Sequence, residues 1–150
     1  MRQTNRKGVT LIELIVVIVI IAIGAALLTP NIGGWLSNYR LRSATRDIAS
    51  ILRTAQMKAV SSNLEYRVCF ANPTFWLERG NLSSGSTSWT TEGAIQTLPR
   101  GVTMSGPLDG GNAQFNPNST CSIGSLTLTN TKGTQRRVTL TPATGRININ

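Results

Sequence analysis

The sequence predicts an α+β protein in which one long N-terminal helix, first membrane-spanning and then amphipathic, packs on an antiparallel β-sheet domain. Three observations carry this reading. Residues 9–29 form an almost unbroken apolar run whose only charge is Glu13. Residues 32–61 repeat apolar side chains at spacings of three and four, the period of a helix with one buried face. The rest of the chain alternates apolar and polar residues in short runs divided by Gly, Pro and Asn turns, the pattern of half-buried strands.

The apolar run comes first. As a helix, residues 9–29 extend roughly 31 Å at about 1.5 Å per residue, against a hydrocarbon core of about 30 Å. The β-branched run Ile15 to Ile21 is mediocre for a helix in water, but lipid leaves backbone amides no partner except each other. A charge at depth costs about 2.5 to 3.5 kcal/mol on insertion scales, and such residues usually have a partner or a task. Glu13 lies near the basic end, so a carboxylate resting at the lipid interface is the plainer alternative. Arg2, Arg6 and Lys7 form a short basic head, which the positive-inside rule keeps in the cytoplasm with the chain beyond Leu28 outside.

The word Lys7-Gly8-Val9-Thr10-Leu11-Ile12-Glu13 closely resembles the class III signal of type IV pilins and type II secretion pseudopilins. The resemblance implies that a membrane prepilin peptidase cuts after Gly8 and methylates the new amino terminus at Val9, where the family usually has phenylalanine. It also implies a task for Glu13, which would neutralise the amino-terminal charge of a neighbouring subunit as helices pack in a fibre. An ion pair at low dielectric is favourable only when both partners are present, so it penalises registers that leave one bare. Pro30 matches the place where the family's long helix bends or locally melts, since proline removes an amide donor and crowds the preceding turn. A helix end at the membrane surface is the plainer reading of Pro30. The expected organisation is a leader over 1–8, a spine helix over 9–62 with 9–29 as its transmembrane and assembly half, and a globular β domain over 63–150. The expected location is the bacterial inner membrane in a single pass, with the β domain periplasmic, and then a pilus or pseudopilus.

After residue 31 the chain changes character. Ile32, Trp35, Leu36, Tyr39, Ala44, Ile48, Ile51, Leu52, Ala55 and Ala59 form the apolar stripe, with Arg42, Arg46, Asp47, Arg53 and Lys58 between them. Ser61-Ser62-Asn63 ends the pattern. Glu65 to Ala71 and Thr74 to Glu78 read as a hairpin around Asn72-Pro73. Gly80 to Gly93 reads as a loop or edge hairpin anchored by Trp89, and Ala94 to Leu98 and Val102 to Met104 as short strands. Gly106 to Gly111 reads as a turn. Leu126 and Leu128, Val138 and Leu140, and Ile147 and Ile149 mark a three-stranded meander whose apolar face the helix stripe must cover.

Chemistry finds little to work with. The chain has no histidine and only six acidic residues, so no ordinary nucleophile triad and no zinc site of normal ligand count can be assembled. No enzyme and no cofactor are expected. Cys69 and Cys121, on the outer side of the membrane if the topology holds, are expected to pair. A loop of about 50 residues closed in this way would stabilise the domain by roughly 4 kcal/mol in the chain-entropy model. The formal charge is +9. Three of these charges are Arg2, Arg6 and Lys7, so removing 1–8 leaves +6; a solvated basic surface is the plain account of it.

The C-terminal meander, with Phe115-Asn116, Gly124-Ser125-Leu126, Gly133, Arg137-Val138 and Gly145-Arg146, looks like that of the GspH/FimT group of minor pilins and pseudopilins. That resemblance implies a structural subunit that enters or initiates a pilus or secretion pseudopilus, with prepilin peptidase, other pilin or pseudopilin subunits and the inner membrane as partners. It also implies an alternative, because some members take up DNA through basic residues near the C-terminus. Lys132, Arg136, Arg137 and Arg146 would be the phosphate contacts here. The DNA-binding tail carries Gly-Arg, one residue, then Arg; this chain keeps Gly145-Arg146 and has Asn148 at the last place. A generic secreted domain is the third reading, with small residues Ala22, Gly24 and Ala26 for a signal peptidase. Such a signal has no use for Glu13.

Overall fold

The computed structural model describes residues 8–28, 32–108 and 110–150. The leader cations Arg2, Arg6 and Lys7, the bend residue Pro30 and Asp109 lie outside the described residues. The chain divides into two compact units, Met1–Trp35 and Leu36–Asn150.

In the first unit, helix α1 runs from Leu11 to Leu28. Thr10 caps it: the amides of Glu13 and Leu14 donate to the Thr10 carbonyl at 3.1 and 3.2 Å, and the Glu13 amide also approaches the Thr10 hydroxyl at 3.4 Å. Thr-x-x-Glu is the pattern of a capping box, and an acid in the first turn complements the positive end of the helix dipole. Among the described residues no helix is long and apolar enough to cross a membrane. The 18 residues of α1 give roughly 27 Å, about 3 Å short of a typical hydrocarbon core.

Helix α2, Ile32–Ser62, brings its later part into the second unit. Its buried stripe is Leu41, Ala44, Thr45, Ile48, Leu52, Ala55 and Ala59, a run at the helical period. The expected stripe departs from this at its start. Trp35 and Tyr39 are 68% and 58% exposed, because at 3.6 residues per turn Tyr39 lies about 160° round the helix from Leu41. Thr45 is fully buried at no polar cost, its hydroxyl donating to the Leu41 carbonyl at 2.7 Å.

Eight strands follow: β1 Tyr66–Ala71, β2 Thr74–Gly80, β3 Trp89–Thr97, β4 Val102–Ser105, β5 Asn112–Phe115, β6 Gly124–Asn130, β7 Gln135–Thr141 and β8 Arg146–Ile149. They form two antiparallel four-stranded sheets, ordered β3-β2-β1-β5 and β4-β6-β7-β8, where the sequence suggested one. The expected hairpin and meander are present as β1-β2 and β6-β7-β8. Of the loop or edge hairpin expected over Gly80 to Gly93, the structure has the edge hairpin: β3 begins at Trp89 and pairs with β2 from Gly80↔Trp89 onward as the edge of its sheet, which satisfies backbone groups a loop would leave to water. Strand β5 went unread because only Ala113 and Phe115 of its four residues are buried. Both sheets send apolar rows to one core, Val68, Phe70, Phe75 and Phe115 from one and Leu126, Leu128, Val138 and Leu140 from the other.

Two residues fix the sheets to α2. Asn130 is buried; its side-chain oxygen accepts from the amides of Lys132 and Thr134, both at 2.9 Å, and its Nδ2 donates to Asn38 Oδ1 at 3.0 Å. Gly145 has φ +60°, and a Cβ there would stand 2.4 Å from both Gln56 Nε2 and the Ser119 carbonyl. Only glycine allows that turn to approach the helix so closely.

Candidate functional site

Helix α1 is apolar on every side. Its large side chains from Leu11 to Ile23 are between 48% and 77% exposed, and a Cβ on Gly24 would meet nothing within 4 Å. A helix hydrophobic all round is stable only when lipid or protein covers it. Gly8, Val9 and Glu13 stand at its exposed start, with Glu13 as the one carboxylate of the first turn.

Cys69 and Cys121 correct the sequence reading: both are buried and free. The register explains why. Cys69 pairs across the sheet with Asn112, whereas Cys121 pairs with Phe115. The two sites are three residues apart along β5 and on opposite sides of it, so the thiols are roughly 14 Å apart at about 3.3 Å per residue and 4.8 Å per strand. A disulfide needs Cα atoms within about 7 Å. The odd spacing also puts them on opposite faces. Cys121 belongs to the core cluster, while Cys69 shares the outer face with Arg67 and Glu78.

That outer face carries a network the sequence did not reveal. Glu78 accepts from Arg67 Nε at 2.7 Å, Trp76 Nε1 at 2.8 Å and Cys69 Sγ at 3.4 Å, and the Arg67 guanidinium stacks 4.1 Å from the Trp89 ring centroid. Burial works against the charge on Glu78, but donors from Trp76, Arg67 and Cys69 outweigh it and hold the carboxyl below its ordinary value. Burial, together with the Glu78 charge, pushes the Cys69 thiol up to about 11. Burial also raises Cys121, whose thiol donates to the Thr141 carbonyl at 3.5 Å. Neither cysteine is an activated nucleophile.

Glu65 and Glu92 are also engaged. Glu65 is 3% exposed and accepts from the amides of Gly85 and Ser86 at 3.0 and 2.7 Å. Desolvation opposes its charge, and the Ser86 and Gly85 donors more than offset it, so its carboxyl is held low. Glu92 pairs with Lys58 and accepts from the Tyr66 hydroxyl at 3.1 Å. Among the described residues no three His, Cys, Asp or Glu side chains are grouped to hold a metal.

The four cations of the meander are divided by the fold. Arg137 pairs with Thr127 and Arg146 with Thr141, which sets both on the face turned from the core, about 14 Å apart over four residues along β7 and one strand across. Arg136 alternates with them and lines a cleft of about 130 Å³ with Asn38, Leu41, Arg42 and Thr134. Lys132 lies in the turn beside that cleft. Arg40 and Arg100 join this end: Arg40 Nη1 donates to the Arg100 carbonyl at 3.3 Å.

Comparison with known proteins agrees with this geometry. Residues 3–29 match the prokaryotic N-terminal methylation motif, and residues 44–144 match the family of the type II transport protein GspH. The type IV major fimbrial protein FimA of Dichelobacter nodosus is 33% identical over 135 residues, covering 85% of this chain and 82% of that protein. The minor pseudopilin EpsH of the Vibrio cholerae type 2 secretion system has TM-score 0.58 at 13% identity, over 74% of this chain and 96% of that one. The type IV minor pilin FimU of Pseudomonas aeruginosa has TM-score 0.60 at 17% identity, over 77% and 92%. At such identities these two likenesses are of fold. With a methylation motif opening an uncovered apolar helix and a matched α+β domain following it, this chain belongs to the GspH/FimT family of pilin-like proteins.

Proposed function

We propose that this chain is a minor pilin or minor pseudopilin that is held in the inner membrane by α1, cut after Gly8, methylated at Val9 and then drawn into a fibre. The single observation that supports this most is α1 itself, an 18-residue apolar helix with exposed side chains and one carboxylate at its start. Lipid covers it before assembly, the bilayer thinning slightly or the flanks extending it to make up the missing length. Other subunits' helices cover it afterwards. In that second setting Glu13 sits at low dielectric, where the free amino terminus of Val9 in a neighbouring subunit is the partner that makes its charge tolerable. Pro30 is the place where the helix adapts between the two settings. The domain beyond residue 35 stays outside the membrane as the surface of the subunit.

The test is the Glu13→Ala variant expressed with its native assembly system. It should reach the membrane at the wild-type level and fall at least tenfold in sheared fibres. Normal incorporation would remove the register role of Glu13.

A further inference from the structure

We propose that the basic end of the unit Leu36–Asn150 docks on the phosphodiester headgroups of an anionic lipid leaflet. This rests on the reading that α1 is embedded in a membrane. Three segments far apart in sequence build the surface. The Ser37 hydroxyl meets that of Thr131 at 3.4 Å, Asn38 accepts from Asn130 at 3.0 Å, and Arg40 reaches the Arg100 carbonyl. The result brings Arg40, Arg42, Arg100, Lys132 and Arg136 to one end, with Arg40 beside Arg100 and Arg42 beside Arg136, about 160° apart round α2. Among the described residues the ion pairs are Lys58–Glu92 and Arg67–Glu78, so none of these five cations is in one. Nor, among the described residues, does an acid line the cleft. Glu65, Glu78 and Glu92 are bound elsewhere, and Asp47 lines the separate groove beside Lys58 and Glu92.

Arg42 and Arg136 line one cleft with no carboxylate among its described residues; the two like charges repel one another, and an external anion relieves this. The cleft adds form to the charge, since two guanidiniums with the Asn38 and Thr134 side chains offer the several donors that recognise a phosphate. Lipid is favoured over nucleic acid by the chain itself. Asn38 follows Leu28 by only ten residues, so an embedded α1 tethers the cleft near the headgroups and raises their effective concentration. Arg137 and Arg146, which a DNA track would recruit, occupy the outer face of their sheet instead.

Lys132 is a native reporter. The full chain is reconstituted into vesicles of phosphatidylcholine alone or mixed with phosphatidylglycerol, and acylation of Lys132 and Lys58 by a water-soluble reagent is followed by mass spectrometry. Phosphatidylglycerol should slow Lys132 about tenfold, as basic residues near an anionic surface imply, and leave Lys58 unchanged. High salt, or the pair Arg42→Gln and Arg136→Gln, should abolish the slowing. Equal Lys132 rates in both vesicles that the protein floats with would overturn the proposal. Slowing by a DNA duplex in neutral vesicles, with none from phosphatidylglycerol, would assign the surface to nucleic acid. Failure to float with either vesicle would contradict the embedded helix, and the proposal would fall with it.

Discussion

At the residue scale, alternation along a strand decides what a side chain can do. Cys69 and Cys121 lie in one small domain, yet an odd register offset places them on opposite faces of a sheet. Spacing in sequence carries no such information, so the expected disulfide was a reasonable inference from compartment that the register cancels. Reducing agent should therefore leave the melting temperature unchanged, and both thiols should label only on unfolding. A shift on reduction, or a chain one disulfide short of two free thiols, would contradict the register. Burial adds an alkaline sign. Cys69 titrates at about 11 rather than at its ordinary 9.0, so the neutral thiol's contribution is intact below pH 9 and is lost as pH rises from 9 through 11.

At the element scale, the turn between β6 and β7 shows how a loop becomes part of the core. Asn130-Thr131-Lys132-Gly133 was legible as a turn from composition, and Gly133 takes φ +78° as that turn requires. What composition did not show is that Asn130 is buried and joins two segments, closing its own turn and holding Asn38 of α2. Asn130→Ala should destabilise the domain by about 1 to 3 kcal/mol through the donors left unpaired, measured by urea denaturation with an unchanged slope. A loss under about 0.5 kcal/mol would mean that water replaces those bonds at little cost. The meander was readable because Leu126, Leu128, Val138 and Leu140 alternate cleanly. Strand β5 was not, because it alternates over only four residues, and the start of β3 was not, because its edge position leaves no buried row to alternate. The stripe of α2 was right from Ala44 onward and out of phase before it, where Trp35 and Tyr39 are apolar without being core.

At the scale of the whole molecule, the chain combines a domain that satisfies itself with a helix that does not. In the unit Leu36–Asn150 the buried side-chain polar atoms all find partners among the described residues. Helix α1 exposes its large apolar side chains, a surface that is stable only under lipid or protein. The start of that helix was the most legible part of the sequence, because the word from Lys7 to Glu13 lies within the methylation motif that residues 3–29 match. The basic end was the least legible, because Arg40, Arg100 and Lys132 meet only once the sheets are formed. The central claim is that α1 begins life behind a cleaved leader and ends as a fibre's packing helix. Mass spectrometry of the mature N-terminus, on protein taken from its native membrane, tests it most directly. The account predicts a chain that starts at Val9 and carries one added methyl group; a chain starting near Ala25 or Leu27 would mean that α1 is discarded with a conventional signal, and would contradict it.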